Sequence, residues 1–585
     1  MRSMLRVPLA VCAAWLLAVE LPAQVSAEPT VSKAPINPDF LEYRNLLVTG
    51  QAPAEEEGRR GRRPSPVDLS HARGQRVSVQ NRGASFGPLP AAFDLRTVPD
   101  KLPPVRDQGS CNDCWTFATY GSLESWLRPA ETLWDFAEMD MDMNCSHGFD
   151  WPACSGGNRD MAAAYLARWD GPVSESCYPH GNVCASPRPS CTPQKRLMEA
   201  IFLPDRAGPL DNANIKEAVM TYGAVYTTMF WRDASYRGSP HFTHYYTGGA
   251  IGNHSVCIVG WDDDFDRTRF VSPNPPGNGA FIVRNSWGAA WGQDGYCYVS
   301  YYDSRIGIEN GVFVRAEPVT DYPRIYQHDP YGWISGVGYG GNTAWGANMF
   351  TAAATETVRF VGFYTPAVDC SYELYVYVNC AAGAPRSGLL ARTAVGTIAH
   401  IGYHTVALTP PVDVIAGQRF SVVLRLTSPG YNYPICLEGP VSGYCSAASA
   451  NPGESFISPN GSYWVDLTSA YPEDNVCLKA LVGPDDPDGD GVYGSQDQCP
   501  HSVPGAVVDA TGCSNGPADL DRDGDVDATD LQLFLLCASG PQIPAPAGCE
   551  RSRFDADADV DVIDFAYFQR CISGENRPSD HGCVE

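Results

Sequence analysis

The stretch Pro104-Val105-Arg106-Asp107-Gln108-Gly109-Ser110-Cys111-Asn112-Asp113-Cys114-Trp115-Thr116-Phe117-Ala118 constrains this chain more than any other. Two cysteines three apart first raise zinc or redox chemistry. Zinc wants a second pair of similar spacing, and none follows at a suitable distance. A thioredoxin-like site wants a strand before its first cysteine, and here that run is polar and holds proline. After Cys114, by contrast, Trp115, Phe117, Ala118, Leu123 and Trp126 recur at helical spacing. Cys114 is therefore expected at a helix N-terminus, where the macrodipole and unpaired N–H groups favour a thiolate. A thiolate nucleophile needs a base. His254 precedes an apolar run through Trp261, and a second apolar run from Ala280 to Val283 leads to Asn285 and Trp287. An amide at Asn285 would fix the imidazole, and Trp287 would shield that bond from water. This is the nucleophile, base and orienter logic of covalent catalysis.

Taken in order, these motifs resemble the papain family of cysteine peptidases over about Leu89 to Ser304. The resemblance is carried by Leu89-Pro90 with Phe93-Asp94-Leu95-Arg96, by Gln108 to Ala118, and by Cys154-Ser155-Gly156-Gly157. Ile215 to Val225, Asn253 to Gly260 and Asn285 to Gly295 extend it. It implies an α+β, two-lobed peptidase, in which Cys114 is the nucleophile, His254 the general base and acid, and Asn285 the orienter. Gln108 and the Cys114 N–H would hold the oxyanion. Gly156 and Gly157 would offer bare backbone to an extended peptide. Ser255 and Trp287 would also meet substrate, Cys111 would bridge Cys154, and catalysis would need no cofactor. Asn112-Asp113 departs from the small residues usual there, and Asp113 would oppose ionisation of the thiol. The spacing from His254 to Asn285 is longer than usual, the excess falling between Asp262 and Asn278.

Around this core the chain changes texture. Arg2 and Arg6, the apolar run Val7–Val19 and Val25-Ser26-Ala27 read as an export signal over residues 1–27. With 21 cysteines, an oxidising compartment is expected: secreted, periplasmic or cell-surface. No later stretch is long and apolar enough to span a bilayer. Residues 28–88, poor in aromatics and holding Arg59-Arg60-Gly61-Arg62-Arg63, read as a flexible linker or a propeptide cut near Arg63. The peptidase domain is assigned to 89–320. From 323 to 482, short strand-like runs punctuated by Gly and Pro predict an all-β sandwich or jelly roll. Tyr326-Gln327-His328-Asp329, Tyr403-His404-Thr405-Val406, Ser455-Phe456-Ile457-Ser458 and Asn475 to Ala480 resemble the lectin-like domain of some bacterial papain-like proteins. That resemblance makes carbohydrate a candidate ligand.

Of the net charge of −26, the last 101 residues hold 21 acidic residues against five Arg, or −16. Such a balance argues against nucleic acid as a partner. Asp486, Asp488, Asp490 and Asp497, with Cys499 and Cys513, fit a thrombospondin type 3 repeat over 484–514, whose alternate carboxylates suit calcium. Residues 515–585 repeat with a period of 34, Asp530 matching Asp564 and Cys537 and Cys549 matching Cys571 and Cys583. Asp519, Asp521, Asp523, Asp527 and Asp530 take positions 1, 3, 5, 9 and 12 of an EF-hand-like loop. The second copy keeps Asp555, Asp557, Asp561 and Asp564, with Arg553 and Ala558 in place of Asp519 and Gly524. A loop and one helix, duplicated, resembles the dockerin module, which implies structural calcium and a cohesin-like docking partner. Local spacing pairs Cys499 with Cys513, Cys537 with Cys549 and Cys571 with Cys583. Cys12 and the nucleophile aside, nineteen cysteines remain, so at least one more is free, with Cys257 the candidate. An exported endopeptidase is the expected function. An adhesin or carbohydrate-binding protein with a vestigial peptidase domain is the alternative, and transpeptidation by the same triad a third reading.

Overall fold

The computed structural model describes residues 30–50, 60–77, 88–181 apart from 147, 190–319, 322–483 and, with short breaks, 492–583. The expected export signal and Asp486, Asp488 and Asp490 lie outside these residues.

The helix Cys114–Leu127 is buried on almost every side, and its polar members are hydrogen-bonded where they are buried: Thr116 and Thr119 to backbone carbonyls, Glu124 to the Phe136 N–H. Helices Glu138–Ser146 and Arg159–Ala167 pack beside it and make one lobe. Against its other side lie the antiparallel strands Val225–Met229, His254–Asp262, Ala280–Arg284 and Tyr296–Ser300, which make the second. Their near-continuous burial matches their unbroken apolar sequence. The cleft between the lobes thus opens where the helix begins and where the His254 strand begins.

The sandwich expected from 323 onward is present. Six antiparallel strands run in the order Leu389–Ile398, Cys370–Val378, Arg419–Thr427, Thr343–Thr351, Ser455–Ser458 and Val465–Asp466. They share a core of Val361, Phe363, Leu374, Val422 and Leu478 with strands Glu356–Thr365, Ile401–Val414 and Leu478–Val482. The second sheet of the sandwich, however, is not confined to the β-rich domain. Ile401 to His404 pair with Phe202 to Glu199 of the peptidase domain, so one sheet, 13-stranded among the described residues, crosses both domains.

Residues 28–88 differ from expectation. The described parts are ordered and packed: Ser32–Lys33 adds a strand to Ser335–Gly338, and helix Pro38–Val48 buries Phe40 and Tyr43. Asn37 caps that helix and Pro38 opens it, a helix-start signal the low aromatic content obscured. Phe40 meets Tyr444, His71 stacks on Tyr431, and Lys33 pairs with Asp474 at 2.5 Å, so this N-terminal segment is anchored on the β-rich domain.

At the C-terminus, helices Ala528–Cys537 and Val562–Cys571 each follow an acidic loop and begin with a capping box, Asp527 with Asp530 and Asp561 with Asp564. The two copies interlock: Ser573 N donates to Val526 O and Ser539 N to Val560 O, both at about 3 Å. Between them Val526, Phe534, Val560 and Phe568 form a small core.

Candidate active site

Cys114 is the first residue of its helix, and its Sγ accepts the N–H of Ser255 at 3.3 Å. His254 Nε2 lies 2.8 Å from Asn285 Oδ1. The other nitrogen, Nδ1, is buried and has no hydrogen-bond partner among the described residues. Trp287 stacks on the imidazole with centroids 4.9 Å apart and covers the His254–Asn285 bond, as expected. Gln108 Nε2 donates to Cys111 O at 2.7 Å and its Oε1 accepts from Ser286 Oγ at 2.6 Å, which fixes its amide beside the start of the helix. Ser255, expected to meet substrate, is buried; its hydroxyl turns to Tyr226 at 2.8 Å and its N–H serves the thiol.

Residues 60–63 of the N-terminal segment lie in the cleft. Arg62 pairs in parallel with Gly157: Arg63 N donates to Gly157 O, and Gly157 N to Gly61 O, both at 2.8 Å. Where Gly156 and Gly157 were expected to take an extended peptide, a segment of the chain itself pairs with Gly157. A Cβ on Gly157 would reach within 2.5 Å of Trp115, and one on Gly61 within 1.8 Å of Asn112 O, so both backbones approach only because these residues are glycine. The Gly61 N–H faces the Cys114 sulfur. Arg62 and Arg63 also depart from the expected accessible cut site: Arg62 is buried, and Arg63 Nε donates to Ser155 O at 2.7 Å.

This cover sets the charge state of the pair. Burial pushes the Cys114 thiol up to about 12, with Asp113 adding in the same direction. Burial pulls His254 down to about 4. Thiol and imidazole are therefore both neutral under the prosegment, since burial disfavours the charged form of each. Asp113, the departure beside the nucleophile, is buried too, and its Oδ2 meets His180 Nε2 at 2.9 Å.

The disulfides Cys111–Cys154, Cys499–Cys513, Cys537–Cys549 and Cys571–Cys583 stand as expected. Cys177–Cys191 was not legible, because the intervening residues carry no periodic signal. Cys257 is a free, buried thiol, and so are Cys297, Cys370, Cys380, Cys436, Cys445 and Cys477.

Of the acidic candidates, Asp519, Asp521 and Asp523 converge, as do Asp525, Asp527 and Asp530, and Asp555, Asp557 and Asp564. Asp561 is the N-cap of the last helix. Asp497 accepts the Cys499 N–H at 2.9 Å. Gly524 takes φ +103° while Ala558 avoids the left-handed region, so the second loop turns differently.

Residues 89–316 match the family model described as papain family cysteine protease, and residues 325–482 the model described as lectin like domain. Pro-cathepsin H of Mus musculus is 28% identical over 237 residues, covering 38% of this chain and 63% of its own. Cathepsin B-like CP3 of Giardia intestinalis is 28% identical over 265 residues, covering 42% and 81%. The chain spans about three fifths of the length of the pro-cathepsin H relatives. The cysteine protease and lectin-like domains of Cwp84, a surface layer associated protein of Clostridium difficile, share the fold at a TM-score of 0.66 and 24% identity, covering 77% of this chain and 98% of that one. The same clostridial protease after propeptide cleavage aligns at 0.60 and 25% identity, covering 67% and 99%. The motif order, the Cys114, His254 and Asn285 geometry and these matches converge: the chain carries a papain-family, cysteine-type peptidase domain followed by a lectin-like domain.

Proposed function

We propose that this protein is an exported cysteine endopeptidase, held inactive by its own N-terminal segment and released when that segment is cut. The observation that carries the reading is the Asn285-oriented His254 beside a helix-start thiol, with a peptide segment lying across both. In this reading His254 takes the Cys114 proton and the thiolate attacks the substrate carbonyl. The Cys114 N–H and the Gln108 amide hold the oxyanion, and His254 returns the proton to the leaving amine. Water then hydrolyses the thioester; an amine in its place would give transpeptidation. The 21 cysteines and the N-terminal signal pattern support an oxidising, extracytoplasmic location.

The lectin-like match supports carbohydrate as a ligand of the β-rich domain, where an open pocket of about 350 Å³ is lined by Tyr326, His328, Phe350, Arg419 and Glu454. The thrombospondin-type and dockerin-like readings of the tail rest on its spacing, and the donor set fits a hard cation. Asp519 is buried and pushed up from the usual carboxylate range by burial first, and Asp521 is pushed up to about 7 by burial and by Asp530 and Asp523 beside it. Calcium held by Asp519, Asp521, Asp523 and Asp530 would neutralise that crowding and order the loop. Exposed Leu535, Leu536, Val562 and Ile563 on the two helices offer an apolar surface to a docking partner.

The test is hydrolysis of a peptide library by the processed protein. Cys114→Ala should abolish turnover while circular dichroism and melting stay near those of the unchanged chain. Asn285→Ala should cost less, because it orients the base and makes no bond. Turnover by the Cys114→Ala protein would end the thiol-peptidase reading.

A further inference from the structure

A lysine and two carboxyl groups meet in the buried seam where the lectin-like domain lies against the peptidase domain. Lys479 stands on the last strand of the lectin-like domain, Leu478–Val482, opposite Gly362. Asp329 lies just after the domain's first strand, Arg324–Tyr326, which pairs with that last strand. Glu438 ends the strand Ile435–Glu438. The side chains of Lys479 and Asp329 are 1% and 0% exposed, and Glu438 is buried as well. Around Asp329 stand Tyr364, Tyr403 and Cys477, all buried. These three belong to the core that the domain shares with the peptidase helix.

The contact is unusual for an ion pair. Lys479 Nζ lies 2.7 Å from Asp329 Oδ2, 2.8 Å from Gln327 Oε1 and 3.2 Å from Asp329 O. Yet among the described residues neither carboxylate oxygen of Asp329 accepts an aligned hydrogen bond. The nitrogen is thus pressed against the carboxyl group without the lone-pair geometry that makes a buried ion pair favourable. Burial raises Asp329 above the usual carboxylate range, with Lys479 opposing. Burial first, and the Asp329 charge after it, push Glu438 up to about 8, so Glu438 keeps its proton at neutral pH. Its Oε1 accepts the Tyr331 N–H at 2.9 Å, which holds it in place. A buried pocket therefore holds an amine, a carboxyl group in contact with it, and a third acid able to give and take a proton.

We propose that Lys479 and Asp329 join in an intramolecular amide bond, with Glu438 as the proton carrier. The pair first passes one proton from Nζ to Asp329, which leaves an amine and a carboxylic acid. Nζ then forms a bond to Asp329 Cγ. Glu438 gives its proton to the departing hydroxyl and takes one from the nitrogen; the Cγ–O bond breaks and water leaves. Amine and acid become one amide and one water, nothing is oxidised or reduced, and Glu438 ends as it began. The product holds no charge in the seam, so the desolvation that a buried ion pair bears is removed. It ties the loop after the first strand to the last strand, 150 residues on, and closes the lectin-like domain into a covalent ring. A ring of that kind restricts the unfolded chain as a disulfide does, and reduction does not open it. The bond lies outside the cleft and is independent of the peptidase reading.

The test is peptide mapping by mass spectrometry of the full chain after denaturation and reduction. A tryptic digest of the unchanged protein should yield one branched peptide that holds Asp329 and Lys479 together. That peptide should be lighter by one water than the sum of its two arms, and trypsin should fail to cut after Lys479. Glu438→Gln should give two ordinary peptides instead, while its circular dichroism stays that of the unchanged chain. Glu438→Asp keeps an acid and should retain part of the link. Separate peptides from the folded, unchanged chain would overturn the proposal, and this measurement decides the bond whether or not either variant folds. A link that forms as fully in Glu438→Gln would overturn the part given to Glu438.

Discussion

Asp113 and His180 show how one residue beside a nucleophile is kept from spoiling it. An anion next to Cys114 raises the thiol, and Asp113 does so. Across from it stand His180, at 2.9 Å, and the second acid Asp142. Burial works against charge on His180, yet its bond to Asp113 and that carboxylate's field hold its proton more tightly than usual. Burial raises Asp113 as well, and a proton shared between Asp113 and His180 would blunt the anion beside the thiol. In the trimmed protein, iodoacetamide alkylation of Cys114 should titrate about 3 units or more below the full chain, because water returns to a thiol that burial had held near 12. His180→Gln should raise that midpoint by about 1 unit, and Asp113→Asn should lower it by a similar amount. A midpoint that ignores both changes would leave the pair a purely structural one. Cys114, His254 and Asn285 were legible because each sits inside a local motif. His180 was not, since nothing in its neighbours marks it and its partner lies 67 residues away.

At the scale of an element, the N-terminal segment meets the cleft through a single bridge, Arg62 with Gly157. Its hold rests on Gly61, whose missing Cβ lets it lie against Asn112, and on the Arg62 and Glu309 pair. Gly61→Ala should lift the segment from the cleft and give the unprocessed chain at least tenfold more activity, read as hydrolysis before any cut is visible by intact mass. An unchanged, silent zymogen would mean that the anchors on the β-rich domain suffice alone. The basic cluster at Arg59 to Arg63 drew the eye as a cut site because charge in sequence usually means solvent. Here Glu309 draws Arg62 inside, and that carboxylate stands 247 residues away, beyond the reach of any local pattern.

In the whole molecule, modules that look independent in sequence differ in how far they are joined. The terminal pair of loops is nearly self-contained: its 34-residue repeat was readable because each copy folds by the same local rules, capping box included. Calorimetry on the full chain should give two unequal calcium events, with the Asp519–Asp530 loop tighter. Asp523→Ala should remove that event and Asp557→Ala the weaker one. Equal affinities, or no heat at millimolar calcium, would refute this. The peptidase and lectin-like domains are joined much more closely. Tyr364, Ile401, Tyr403 and Tyr444 belong to the same buried core as Trp115 and Phe40. A domain boundary near 320 is therefore a boundary of motif, and sequence texture could not reveal the pairing that crosses it.

That pairing also sets a timetable. Strand Lys195–Phe202 is made about 200 residues before Ile401 to His404 arrive to pair with it. Through that interval it presents an open ladder of N–H and C=O groups, the kind of edge that recruits a wrong neighbour. The prosegment waits still longer for Tyr431 and Tyr444. Closure of such distant contacts is slow, so the nascent chain is vulnerable to aggregation until the lectin-like domain is complete.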